Sequence, residues 1–230
     1  MIKFILLNHS MNFWDPYTFV LTVSFVVSLT VFYKPDPIDS FLKYFPPFLM
    51  TTLLVEVLGA WLNRTGRDNI LLYNFFSTFE FVYYLWIISL IIINTAAKRI
   101  IRIAMVVYFL IALVNILFLQ KKVFHSVTYA FGCLVITVVC IYYFLELFRL
   151  PQSVRLSSNP AFWICSGLLF FYICGFPLFG LLNYWNGISR LVVKNLDQIL
   201  KLLNVFLYSL FTLAFLCIRT RRYTLSQSSV

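Results

Sequence analysis

Apolar side chains in this chain fall into seven long blocks, separated by short stretches where proline, asparagine and charged residues gather. The blocks occupy about residues 13–33, 45–62, 70–93, 101–119, 124–148, 160–182 and 196–218. A hydrocarbon core of ~30 Å needs roughly 20 helical residues at 1.5 Å each, and every block reaches or approaches that length. None shows the strict two-residue alternation of a membrane barrel strand. The pattern predicts an all-α polytopic membrane protein, in which residues 1–230 form a single seven-transmembrane-helix bundle.

Block boundaries have chemical causes. Asp15 before Pro16, and Asn159 before Pro160, set a capping side chain ahead of a proline that suits the first helical turn. Pro35 and Pro37 stop the first block, because proline lacks an amide donor and restricts the residue before it. Trp14, Trp61, Trp163 and Trp185 fall at block ends, where an amphipathic indole prefers the membrane interface. The second and third blocks are joined by the short polar turn 63–69. The sixth block carries Gly167, Gly175, Pro177 and Gly180, which predict close helix packing or a bend.

Polar residues inside the blocks recur at helical spacing. The second helix carries Thr52, Glu56, Gly59 and Asn63, and the third carries Asn69, Tyr73, Ser77, Glu80 and Tyr84. The seventh carries Asp197, Lys201, Asn204, Tyr208 and Thr212. Steps of three and four place each set on one helical face. The fourth helix adds Asn115, and the fifth adds His125, Thr128, Tyr129 and Thr137. Lipid offers no hydrogen-bond partner, so such faces turn toward other helices or a cavity.

Glu56 and Glu80 are the only acids deep inside an apolar block. Each lies about ten residues into its predicted helix, or ~15 Å deep. An ionised carboxylate at that depth costs about 2.5–3.5 kcal/mol on the gentlest scale, which marks the pair as functional candidates. Two carboxyls on adjacent antiparallel helices can exchange a proton, bind a cation or orient a polar ligand. The candidate ligand or proton site comprises Glu56, Glu80, Asn63, Asn74, Ser77, Tyr84, Asn204 and Tyr208.

Composition agrees with lipid as the solvent: 62% of residues are hydrophobic and only 11% are charged, against about 25% charged in soluble domains. The net charge of +10 is spread between the blocks, so it reads as contact with loops and lipid headgroups rather than with nucleic acid. With seven spans, the side bearing the N-terminus holds eight Lys and Arg residues and the opposite side ten, which together account for the 18 in the chain. The dense clusters at 98–102 and 219–222 predict a cytoplasmic C-terminus and an external N-terminus. Lys3 and the short apolar run after it do not make a convincing signal peptide.

Enzyme signatures are sparse. His9 and His125 are the only histidines, too few for a multi-histidine zinc centre, and no metal site or cofactor is predicted. The five cysteines lie in apolar blocks without CxxC spacing and read as small packing residues. Asp197 and Lys201, near the start of the seventh span, read as an ion pair at helical spacing.

The run Glu56, Asn63, Asn69, Tyr73-Asn74, Glu80 and Tyr84, followed by Asn159-Pro160-Ala161-Phe162-Trp163, resembles a group of small uncharacterised seven-helix proteins of bacteria. The resemblance implies the topology and the bacterial inner membrane. It carries no activity.

The leading expectation is a ligand- or ion-responsive sensor module. Its output would pass to a cytoplasmic signalling partner, since the basic tail 219–230 has no catalytic capacity. Its other expected partners are the bilayer and a small-molecule or cation ligand. The alternative is a small proton-coupled transporter using the two glutamates. A third reading is an intramembrane lipid hydrolase, with the carboxyls as acid and base.

Overall fold

The computed structural model describes residues 16–33, 40–119, 124–149, 156–181 and 190–227. Helix α1 covers Pro16–Ser28 and continues as a 3-10 turn, Leu29–Tyr33. A second 3-10 turn, Ser40–Tyr44, leads into α2, Phe45–Arg64. Helix α3 is Ile70–Ile91, and α4 is Thr95–Val114, extended by the π turn Asn115–Leu119. Helix α5 is Ser126–Phe148. The 3-10 turn Leu156–Ser158 precedes α6, Pro160–Leu181, and α7 is Arg190–Gln227. The expected cap at Asp15, the stop at 34–37, Trp14, Trp185 and the basic residues Lys3, Lys34, Lys121, Lys122 and Arg155 lie outside the described residues.

Six helical segments among the described residues are long and apolar enough to cross a membrane by length and composition, and α1 with its 3-10 extension is apolar but shorter. The chain is an all-α bundle with the dimensions and composition of a polytopic membrane protein. Helix α4 shows why lipid must surround it. Ile100, Ile103, Val106, Leu110 and Val114 form an exposed stripe down its outer side. Such a stripe is a liability in water and an ordinary surface in hydrocarbon.

The turn between α2 and α3 is tightly specified. Gly66 takes φ 71°, a left-handed conformation that suits glycine. Its N–H donates to the Asn63 carbonyl at 3.0 Å, and the Arg67 N–H donates to the Leu62 carbonyl at 2.9 Å. This is a Schellman ending. It reverses the chain at once, so α3 runs back along α2, and Phe48 early in α2 stacks on Tyr83 late in α3, with ring centroids 4.0 Å apart.

The fourth helix starts at Thr95, six residues before the predicted 101. The Asn94 side chain caps it, accepting from the Ala96 and Ala97 N–H groups at 2.9 and 3.3 Å. Lys98, Arg99 and Arg102 therefore belong to its first turns and not to a loop. Helix α7 also exceeds its predicted bounds at both ends, because arginine, lysine and glutamine are good helix formers outside the apolar block. Helix α6 runs unbroken through Pro177. Its Asn159 cap accepts from the Ala161 N–H at 3.0 Å, as expected.

Hydroxyls within the helices bond to the preceding turn. Thr52, Thr78 and Thr212 donate to the carbonyls of Phe48, Asn74 and Tyr208 at 3.0, 2.9 and 2.8 Å, which satisfies their hydroxyls in apolar surroundings. All five cysteines are free thiols, and three of them are buried.

Candidate functional site

The helices enclose a cavity of about 170 Å³ that is partly open. Its walls come from α1, α2, α3, α5, α6 and α7, together with Phe124 just ahead of α5. The wall residues cluster toward one face of the bundle. Tyr73 and Ser77 belong to the first turns of α3, Leu178 and Phe179 to the last turn of α6, and Leu196 and Leu200 to the first third of α7. The cavity thus occupies the half of the bundle nearest the 65–69 turn. The other half is filled by buried aromatic rings, where Phe45 meets Phe211 and Phe215 at 5.4 and 5.9 Å and Phe81 meets Tyr172 at 5.1 Å.

Glu56 and Glu80 both line this cavity, and their carboxyls interact electrostatically. Their surroundings differ. The Tyr17 hydroxyl donates to Glu56 Oε1 at 3.0 Å, and the Tyr73 hydroxyl donates to Oε2 at 3.3 Å. Glu56 is thereby the joint of α1, α2 and α3. Tyr73 gets there because Gly59 has no side chain: a Cβ at Gly59 would overlap the Tyr73 hydroxyl and lie 2.9 Å from its Cζ.

Glu80 has no comparable partner. The Tyr84 and Tyr172 hydroxyls lie nearest to it, yet each is buried without closing a hydrogen bond of ordinary geometry. The Glu80 carboxyl faces the cavity instead. Asn204 faces it from α7, with its amide nitrogen donating to the Leu200 carbonyl at 2.9 Å. Tyr208 completes that wall, its ring 5.9 Å from that of Tyr17. Among the described residues, half of the sixteen wall residues are aromatic, and none is lysine, arginine or histidine.

Of the sequence candidates, Glu56, Ser77, Glu80, Asn204 and Tyr208 line the cavity, whereas Asn63, Asn74 and Tyr84 do not. Asn63 sits at the end of α2, where its carbonyl helps close the turn. Asn74 is fully buried and accepts from the His125 N–H at 3.3 Å, which fixes the entry to α5. The His125 ring reaches Ser77 Oγ through Nε2 at 3.3 Å. Tyr84 is buried in the aromatic half. Eleven wall residues lie outside the sequence candidates, among them three tyrosines: Tyr17, Tyr73 and Tyr129. Tyr73 was legible from its phase on α3. Tyr17 was not, because nothing in α1 marks its tyrosine as the partner of a carboxyl on the next helix. Among the described residues, no three His, Cys, Asp or Glu side chains converge as a metal-ligand set.

No protein-family model matches the chain, and no curated protein or solved structure matches it. The reading of the site rests on its own chemistry.

Proposed function

We propose that this protein is a seven-span, ligand-responsive receptor module of the bacterial inner membrane, with its N-terminus outside and its C-terminus inside. The observation that carries the reading is the one-sided cavity: polar walls gather toward the 65–69 turn, and stacked aromatic rings fill the bundle beyond Glu80. A solute entering from outside meets Glu80, Asn204 and Tyr208, and aromatic rings crowd the described interior beyond them. Helix α7 continues without interruption from the wall residues Asn204 and Tyr208 to Gln227. Occupancy of the cavity therefore acts on the same rigid element that ends on the cytoplasmic side, where a signalling partner would read it.

The paired carboxyls favour a second reading, a small proton-coupled transporter. Proteoliposomes with an internal pH-sensitive dye separate the two. Under an imposed gradient, a panel of small amines, amino acids and carboxylic acids should cause no proton flux above that of empty vesicles. Solute-dependent flux by the purified chain alone would overturn the receptor reading in favour of transport. A spin label near the end of α7 should shift its environment when the cavity is filled.

A further inference from the structure

We propose that the cavity is a binding site for a small organic ammonium ion, held by Glu80 and Asn204 and enclosed by aromatic rings. The inference rests on the receptor reading for its purpose but on separate observations for its chemistry.

The first observation is the division between the two acids. Both oxygens of Glu56 are engaged by tyrosine hydroxyls. The carboxyl of Glu80 points into the cavity and is left for an incoming donor. The second is Tyr129. It lines the cavity and is only 6% exposed, so its hydroxyl belongs to the cavity wall. The third is Asn204. Its nitrogen is used by the Leu200 carbonyl, which leaves its oxygen to accept.

These groups present hydrogen-bond acceptors to the interior, and no cationic side chain among the described residues lies on the wall to neutralise them. An anion would meet two acids and no counter-charge. A bare inorganic cation would meet too few oxygens, since calcium takes six to eight and magnesium demands a near-octahedral shell. An ammonium head on a short alkyl chain matches both halves of the wall. Its N–H groups donate to Glu80 and Asn204, its charge faces the rings of Tyr17, Tyr129 and Tyr208, and its methylenes meet Phe76 and Phe179.

The experiment uses the full chain in lipid nanodiscs and measures thermal unfolding and calorimetric binding with three probes: n-butylammonium, n-butanol and sodium. Butylammonium should bind saturably and raise the unfolding temperature, and butanol and sodium should do neither at equal concentration. Glu80→Gln should weaken butylammonium binding by roughly tenfold to a hundredfold, the range of a lost charge-assisted contact. Asn204→Leu should weaken it less. Equal binding of butanol, full competition by equimolar sodium, or unchanged affinity in the Glu80→Gln protein would each overturn the inference. Should that variant fail to fold, the comparison of butylammonium with butanol on the native chain decides alone. If butylammonium binds but the α7 label stays still, the ammonium site stands and the receptor reading falls. If the label responds to a neutral or anionic solute and butylammonium does not bind, the reverse holds.

Discussion

Tyr73 lies across the open flank of Gly59, and from there its hydroxyl reaches Glu56 on the same helix as the glycine. A residue without a side chain thus decides where a ring from the next helix can rest. Gly59→Ala should destabilise the protein by about 1–3 kcal/mol, the usual cost of overpacking, despite alanine's better helix propensity. In a Tyr73→Ala background the same change should be neutral or stabilising. Reversible unfolding of the four proteins in one detergent measures the coupling, and equal costs in both backgrounds would refute the contact.

The two membrane acids should respond oppositely to removal. Glu56→Leu leaves the Tyr17 and Tyr73 hydroxyls without an acceptor, at about 1–3 kcal/mol for each group that stays unpaired. Glu80→Leu removes a carboxyl that accepts no comparable bond and should leave stability unchanged or raise it. Unfolding midpoints for the two variants test the asymmetry. A larger loss for Glu80→Leu than for Glu56→Leu would contradict it.

Glu146 near the end of α5 clamps the junction between α3 and α4, accepting from the Ile93 and Asn94 N–H groups at 2.8 Å each. Glu146→Ala should cost about 1–2 kcal/mol. Glu146→Gln should cost less, since its amide oxygen still serves one donor. Hydrogen exchange at Ile93 and Asn94 should accelerate in the alanine protein while amides in the middle of α3 keep their protection. Uniform acceleration along α3 would mean that the clamp supports the whole helix.

Single cysteines at Arg67 and Thr95, in a background lacking the five native thiols, test alternation of the spans. Both positions are exposed at opposite ends of α3. An impermeant maleimide should label Arg67→Cys from outside and Thr95→Cys only after the membrane is opened. Labelling of both from one side would remove the topology.

Much of the architecture was legible because lipid imposes a length and excludes unpaired polar groups. The predicted second, third, fifth and sixth blocks coincide with helices to within a few residues at each end. Where the reading missed, a local interaction outweighed composition: the Asn94 cap drew a basic segment into α4. The shared cavity was foreseeable from the phase of Glu56 and Glu80, since steps of three and four fix a face. What the phase does not reveal is which partner a polar residue chooses. Asn74 has the right depth for the cavity but turns to the His125 amide, one turn before Ser77 and Thr78 continue the same contact region. Glu56 and Glu80 look equivalent in sequence. They differ because Tyr17 and Tyr73 converge on one of them, a tertiary fact with no local signature.

Helix α7 is a single rod of 38 residues, and its proportions have a mechanical consequence. From Asn204 at the cavity wall to Gln227 the rod extends ~35 Å at 1.5 Å per residue. Rotating a rod of that length by about 5° moves its far end ~3 Å, more than enough to break a hydrogen bond. Gly167 lets α6 pack close against Leu207 and Leu210 of α7, where an added Cβ would stand 3.2 Å from Leu207 Cδ1. Under the proposed receptor reading, α7 works as a lever with one arm at the cavity wall, Asn204 and Tyr208, and the other running on to Gln227, so a small change at the wall becomes a larger displacement at the far end.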